Sequence, residues 1–319
     1  MIPLEDIRAA QRAIQGKALR TPLVRLNYPE DPREIYLKLE NLQPIASFKL
    51  RGAVNAFRLA DGDEIHKGVF TASAGNWAQG IAWVARERNI PCTIIVPEHA
   101  PKTKLDAIER LGARHIGVPY DAWWTCMTER RFEGVDGTFL HPVEDEPVMA
   151  GNGTIALEIL EDLPDPDVVL VPWGGGGLAT GIASGLRQLR PETRVYGVEV
   201  ETAAPLAASL SAGAMTSVER KASFVDGIGS GGLLPKMWPF ARELLTGALT
   251  ASVSDVANAL RLVVERNRVV AEGAGACSVA VALSERVAAE KIVCIVSGGN
   301  IDTETLVSVL SGDFPDSGR

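Results

Sequence analysis

Short runs rich in valine and isoleucine recur along this chain, and segments with helical spacing of apolar residues separate them. Strands that read as continuous apolar runs are buried on both faces, and parallel strands are joined by helices that cross back over the sheet. The fold class is therefore α/β. Strands are expected at 34–39, 69–72, 92–96, 115–118, 168–172, 194–200 and 292–296, with helices at 76–88, 102–111, 155–160 and 256–266.

Residues 64–145 contain enough of this alternation to form a small doubly wound unit, so they read as an insertion. The flanks, 1–63 and 146–319, then join as a larger domain, with the ligand in the cleft where open sheets present the carboxyl ends of their strands. A chain of 319 residues, 46% hydrophobic and 23% charged, is long enough for two such units. Its net charge of −8 and the lack of any basic run exclude an electrostatic footprint for nucleic acid or an anionic membrane, which leaves a small diffusible ligand. The opening MIPLEDIRAAQRAI lacks the basic-then-apolar layout of a secretory signal, and no stretch reaches the ~20 apolar residues that span a bilayer. The 4 cysteines form no C-x-x-C pair and the 4 histidines no H-x-x-x-H pair, against a disulfide framework or metal centre. The cytoplasm is the expected address.

Four segments carry chemistry. VVLVPWGGGGLATGIASGL joins a strand to a helix through Gly174, Gly175, Gly176 and Gly177, giving a backbone free to approach an anion and the positive end of a helix dipole. The same segment fits a dinucleotide fingerprint (Gly174, Gly176, Ala179, with Glu199 as ribose ligand), so alone it separates neither cofactor class. NLQPIASFKLRGAVNAF places Lys49 between Phe48 and Leu50, with Ser47 as a candidate cap. Apolar flanks desolvate the amine, lower its pKa and make it a nucleophile toward an aldehyde, whereas the plainer alternative is a lysine whose stem packs while its head reaches water. TASAGNWAQGIAW offers Ser73, Asn76 and free N–H groups near Trp77 at a helix start, a seat for a carboxylate or simply a cap and a turn. IVCIVSGGNID ends a buried strand at Ser297 beside two glycines, able to aim a hydroxyl at a flat ligand or to close a turn.

In order, SFKLRGA, SAGNWAQG, GGGGL, EGAGA and VSGGN resemble the motif set of fold type II pyridoxal-5'-phosphate (PLP) enzymes (tryptophan synthase β-like), in the threonine/serine dehydratase and serine racemase branch. The resemblance covers roughly residues 20 to 300. It implies two doubly wound domains with PLP in the cleft, Lys49 as covalent anchor and base, and Phe48 against the ring. Gly174 to Gly177 would cradle the phosphate, Asn76 would bond the ring hydroxyl, and Ser297 would face the pyridine nitrogen. Ser73, Ala74, Asn76 and Trp77 would border the substrate carboxylate.

The implied reaction is β-elimination from a β-hydroxy amino acid such as L-threonine or L-serine, giving a 2-oxo acid and ammonia. Racemase and β-replacement chemistry are the alternatives within the fold; an NAD-dependent oxidoreductase and a catalytically silent PLP-binding protein are more remote. Racemase members of the family carry a serine where Ala74 stands, which favours elimination here. Trp77 replaces the usual family histidine. A divalent cation is compatible with Glu199 but not expected, because Pro205 falls where an aspartate is wanted. A homodimer is expected from the resemblance only.

Overall fold

The computed structural model describes residues 1–60, 62–284 and 286–313. Its strands are β1 (Leu23–Arg25), β2 (Glu34–Leu39), β3 (Val69–Ala72), β4 (Cys92–Pro97), β5 (Arg114–Val118), β6 (Thr138–Phe139), β7 (Val168–Pro172), β8 (Arg194–Val200), β9 (Gly247–Ala251) and β10 (Lys291–Val296). A six-stranded sheet has the order β1-β2-β10-β7-β8-β9, and a four-stranded sheet the order β5-β4-β3-β6. Every pairing is parallel except β1 with β2. The central strands β7 and β10 are buried along nearly their whole length, as apolar runs covered by helices on both faces must be.

All strands of the smaller sheet lie between residues 69 and 139. Its core, however, recruits the helix Lys49–Leu59 from the amino-terminal flank: Leu50, Ala53, Val54 and Phe57 cluster with Val69, Ile81 and Ile94. The helix Asn76–Glu87 shares that face, while the helix Tyr120–Glu129 packs Cys126 and Met127 on the opposite face against Phe70, Ile95 and Val118.

A helix from Glu146 to Asp162 binds the two layers. It passes through A-G-N-G, a sequence that favours turns, because glycine is needed for contact: a Cβ at Gly151 would stand 2.5 Å from the Arg51 carbonyl oxygen, and one at Gly153 2.9 Å from that of Gly181. The backbone entropy lost at each glycine, about 0.5–1 kcal/mol, is offset by helices that approach backbone to backbone.

Beside these glycines, Arg51 is fully buried and donates from Nε and Nη2 to Glu40 at 2.8 Å and from Nη1 to Glu158 at 2.6 Å. Lys38 Nζ donates to Glu158 at 2.6 Å and to the Thr21 carbonyl. Two cations thus face two carboxylates with further bonds to Thr154 and the Leu19 carbonyl, the full satisfaction that a buried ion cluster requires. Removing one member leaves an uncompensated buried charge. Glu158→Leu is expected to lower unfolding free energy by about 3–5 kcal/mol, read from the denaturant midpoint; a loss below about 1 kcal/mol, the scale of a surface ion pair, would show that the cluster is not a structural keystone.

Candidate active site

The carboxyl ends of β3, β7 and β10 converge on a cavity of about 640 Å³. Lys49 enters it from the first residue of its helix, and backbone bonds lock that entry: Phe48 N–H donates to the Ser297 carbonyl at 3.0 Å and Gly299 N–H to the Ala46 carbonyl at 2.9 Å. Ala46 adopts a left-handed φ of 53°, which turns the chain toward the pocket. Ser47 does not cap the helix as expected; its Oγ lies 3.4 Å from the Lys49 N–H, and its backbone instead bridges Gly298.

Lys49 Nζ donates to the Pro142 carbonyl at 2.9 Å and sits 5.1 Å from the centroid of the Phe48 ring and 5.6 Å from that of Trp77. Burial lowers its pKa to about 8, with the Glu272 carboxylate opposing. The amine is therefore a nucleophile near neutral pH and not an ordinary surface ammonium.

Gly174 to Gly177 line the cavity opposite, between β7 and the helix Gly177–Leu189. Gly176 has φ 98°, and a Cβ there would sit 2.5 Å from the Trp173 ring; one at Gly175 would sit 2.4 Å from Val143. No side chain caps this helix, so its first-turn N–H groups face the loop. A glycine turn held flat against Trp173 and Val143, with uncapped N–H groups behind it, fits a phosphate.

Asn76 Nδ2 donates to both oxygens of Glu272, at 3.0 and 3.1 Å, while Asn76 Oδ1 accepts from Asn300 Nδ2 at 2.8 Å. Burial raises the Glu272 pKa to about 7, with the Asn76 bonds opposing. Glu272 and Asn300 are the site residues that sequence reasoning missed. EGAGA was visible as a motif, but nothing local shows that its glutamate faces Asn76, 196 positions away.

Ser73, Asn76, Trp77 and Ser297 all border the cavity. Ala74 does not: it packs against the core of the smaller sheet. The Trp77 indole N–H turns inward, to Thr71 Oγ1 at 3.0 Å and the Leu140 carbonyl at 3.2 Å, and so offers no bond to a carboxylate. Glu199 is 1% exposed and accepts from the N–H groups of Leu206 and Ala207 at 2.9 and 2.8 Å, capping the helix Pro205–Ala212. It does not line the cavity, which removes the ribose ligand that a dinucleotide reading needs.

Comparison with known proteins agrees with this geometry. Residues 14–298 match the family model of pyridoxal-phosphate dependent enzymes. The chain is 39% identical to an L-threonine ammonia-lyase of Thermotoga maritima, an alignment covering all of this chain and 80% of that protein. It is 36% identical to a catabolic L-threonine dehydratase of Escherichia coli, over 98% of this chain and 96% of the other. Among solved structures, maize serine racemase superposes with a TM-score of 0.89 at 30% identity, covering 97% of each chain.

The depressed Lys49 pKa has a measurable consequence. The neutral fraction of an amine rises about tenfold per pH unit below its pKa and then levels off. Capture of pyridoxal 5'-phosphate by cofactor-free protein should accelerate up to about pH 8 and flatten above it. A rate still climbing toward pH ~10, where an unperturbed lysine titrates, would refute a desolvated Lys49. Stopped-flow absorbance follows the capture directly.

Proposed function

The chain belongs to the pyridoxal-phosphate dependent enzymes, and from that membership we propose that it is an ammonia-lyase that removes water from a β-hydroxy amino acid such as L-threonine or L-serine. The products are a 2-oxo acid and ammonia. The observation that carries the reading is the half-buried amine of Lys49, which enters the same cavity that the glycine turn lines.

Lys49 would anchor pyridoxal phosphate, the Gly174–Gly177 turn would hold its phosphate, Asn76 its ring hydroxyl, and Ser297 its pyridine nitrogen, with Phe48 against the ring. When bound, the cofactor supplies an electron sink for the carbanion at the substrate α-carbon. Ser297 offers a neutral hydroxyl where a carboxylate would make that sink stronger, which suits a reaction in which departure of the β-hydroxyl discharges the carbanion. Lys49 would then take the α-proton of the bound substrate, an amine that burial holds near pKa 8 in the cofactor-free protein. Ser73 and the N–H groups that open the helix Asn76–Glu87 would hold the substrate carboxylate.

Racemisation would need a second acid–base group on the face opposite Lys49. Position 74 supplies only a methyl group packed into the core, so elimination dominates. The same reading includes a homodimer, supported by the family resemblance, and a cytoplasmic address, supported by an opening without the layout of a secretory signal and by cysteines without paired spacing. Among the described residues no helix is long and apolar enough to cross a membrane.

Purified protein given L-threonine or L-serine should release 2-oxo acid, and Lys49→Ala should lose at least about a thousandfold in kcat, on the scale of removing a residue that is both anchor and base. Borohydride followed by peptide mapping should fix the cofactor to Lys49 and to no other lysine. D-Serine appearing from L-serine as fast as pyruvate would overturn the assignment to elimination.

A further inference from the structure

Around the Lys49 amine the cavity presents Phe48, Trp77, Pro142 and Val143, and it continues to Trp123 and Met127 on the helix Tyr120–Glu129. Of these side chains only the two indoles carry an N–H donor. The Trp77 N–H is spent on Thr71 and Leu140, and the Pro142 carbonyl on Lys49. Trp123 Nε1 is buried and has no partner, so the indole meets the cavity with carbon and not with its N–H. A polar β-substituent placed here would lose its water without replacement.

Charged side chains also border the cavity. Lys104 is paired with Asp226 at 2.5 Å. Arg110, exposed and without an ion pair among the described residues, ends the helix Lys102–Arg110, whose Ile108 packs on the face of the smaller sheet opposite Met127. Asp226, Glu272 and Asp302 border the same space and would repel a second carboxylate. The cavity of about 640 Å³ has to hold the cofactor as well as the substrate, and lies within the ~300–1,000 Å³ of ligand sites.

We propose that this wall is a side-chain pocket for a large apolar β-substituent, so that the preferred substrate is a β-hydroxy amino acid bearing an aryl group or a branched alkyl chain at the β-carbon. This rests on the lyase reading above and narrows its substrate class. Trp123 and Met127 determine the specificity: the indole stacks on or meets the edge of a substrate ring, and the thioether fills the space beside it. The chemistry balances as for threonine. The α-C–H and β-C–O bonds break, one water leaves, and hydrolysis of the C=N product takes up one water to give the aryl 2-oxo acid and ammonia.

The test compares kcat/KM of the purified holoenzyme for L-serine, L-threonine, L-threo-3-phenylserine and L-threo-3-hydroxyaspartate by 2-oxo acid release. A single methylene in an apolar pocket discriminates by about 10- to 200-fold, so phenylserine is expected to exceed serine by at least about tenfold. Trp123→Ala should lower the phenylserine-to-threonine ratio by about tenfold or more, while Trp123→Phe, which keeps a ring, should restore most of it; no change in that ratio would remove Trp123 from the pocket. Threonine or serine preferred over phenylserine would overturn the proposed substrate class and leave the lyase reading standing. Hydroxyaspartate preferred would overturn it in favour of a cationic subsite. No 2-oxo acid from any of the four would reject the lyase reading and the pocket with it.

Discussion

The Arg51 guanidinium holds the rest of the molecule in register. It sits two residues beyond Lys49 and bonds to Glu40, next to the end of β2, and to Glu158, on the helix Glu146–Asp162. One side chain thereby ties the larger sheet, the helix that presents the reactive amine and the helix that bridges both layers. Arginine suits the place because its planar fork pairs in bidentate fashion with both carboxylates, which the point charge of a lysine ammonium does not. Burying four charged groups costs several kcal/mol each before pairing, so the cluster is evidence for fixed geometry more than for net stability. What it fixes is the direction in which Lys49 leaves its helix.

A second constraint crosses the cleft. Asn76 belongs to the smaller sheet's layer, whereas Glu272 and Asn300 flank β10 on the larger one. Asn300 holds the Asn76 oxygen and Glu272 its nitrogen, which leaves the amide one orientation. Further out, Lys104 pairs with Asp226, and Thr103 donates to Asp302 at 3.1 Å, so the layers also meet at the rim. Inside this closed space Lys49 and Glu272 have pKa values displaced toward each other, to about 8 and about 7, both chiefly by burial. Small changes in proton occupancy near neutral pH therefore alter the charge next to the reacting atoms.

The strands were legible because burial on both faces leaves a continuous apolar run. The expected limits for β2, β3, β7 and β8 coincide with those observed, and β4, β5 and β10 differ by one residue at an end. Those without such a run were not: β1 and β6 have three and two residues, and β9 is half-exposed along most of its length. The helix expected at 155–160 spans Glu146–Asp162, since glycines that look like breaks in isolation are the price of close contact with Arg51 and Gly181. Lys49, Asn76, the glycine turn and Ser297 were readable as a set because each lies at the end or start of an element facing one cleft. Glu272 and Asn300 were not, because their role depends on which residue they meet and not on their neighbours in sequence.

Trp77 shows how such a departure is absorbed. Where the family resemblance leads one to expect a histidine, this chain carries a larger ring that is 1% exposed. Its N–H finds Thr71 and Leu140 in the core, so no buried donor is left unsatisfied, and the substitution costs the protein little. The centre of this ring lies 5.6 Å from the Lys49 amine. No side chain competes for the backbone N–H groups at the start of the helix Asn76–Glu87, and Ser73 borders the same cavity. An indole at this place neither takes up nor gives up a proton near neutral pH, so Lys49 and Glu272 are the groups with displaced pKa values that border the cavity.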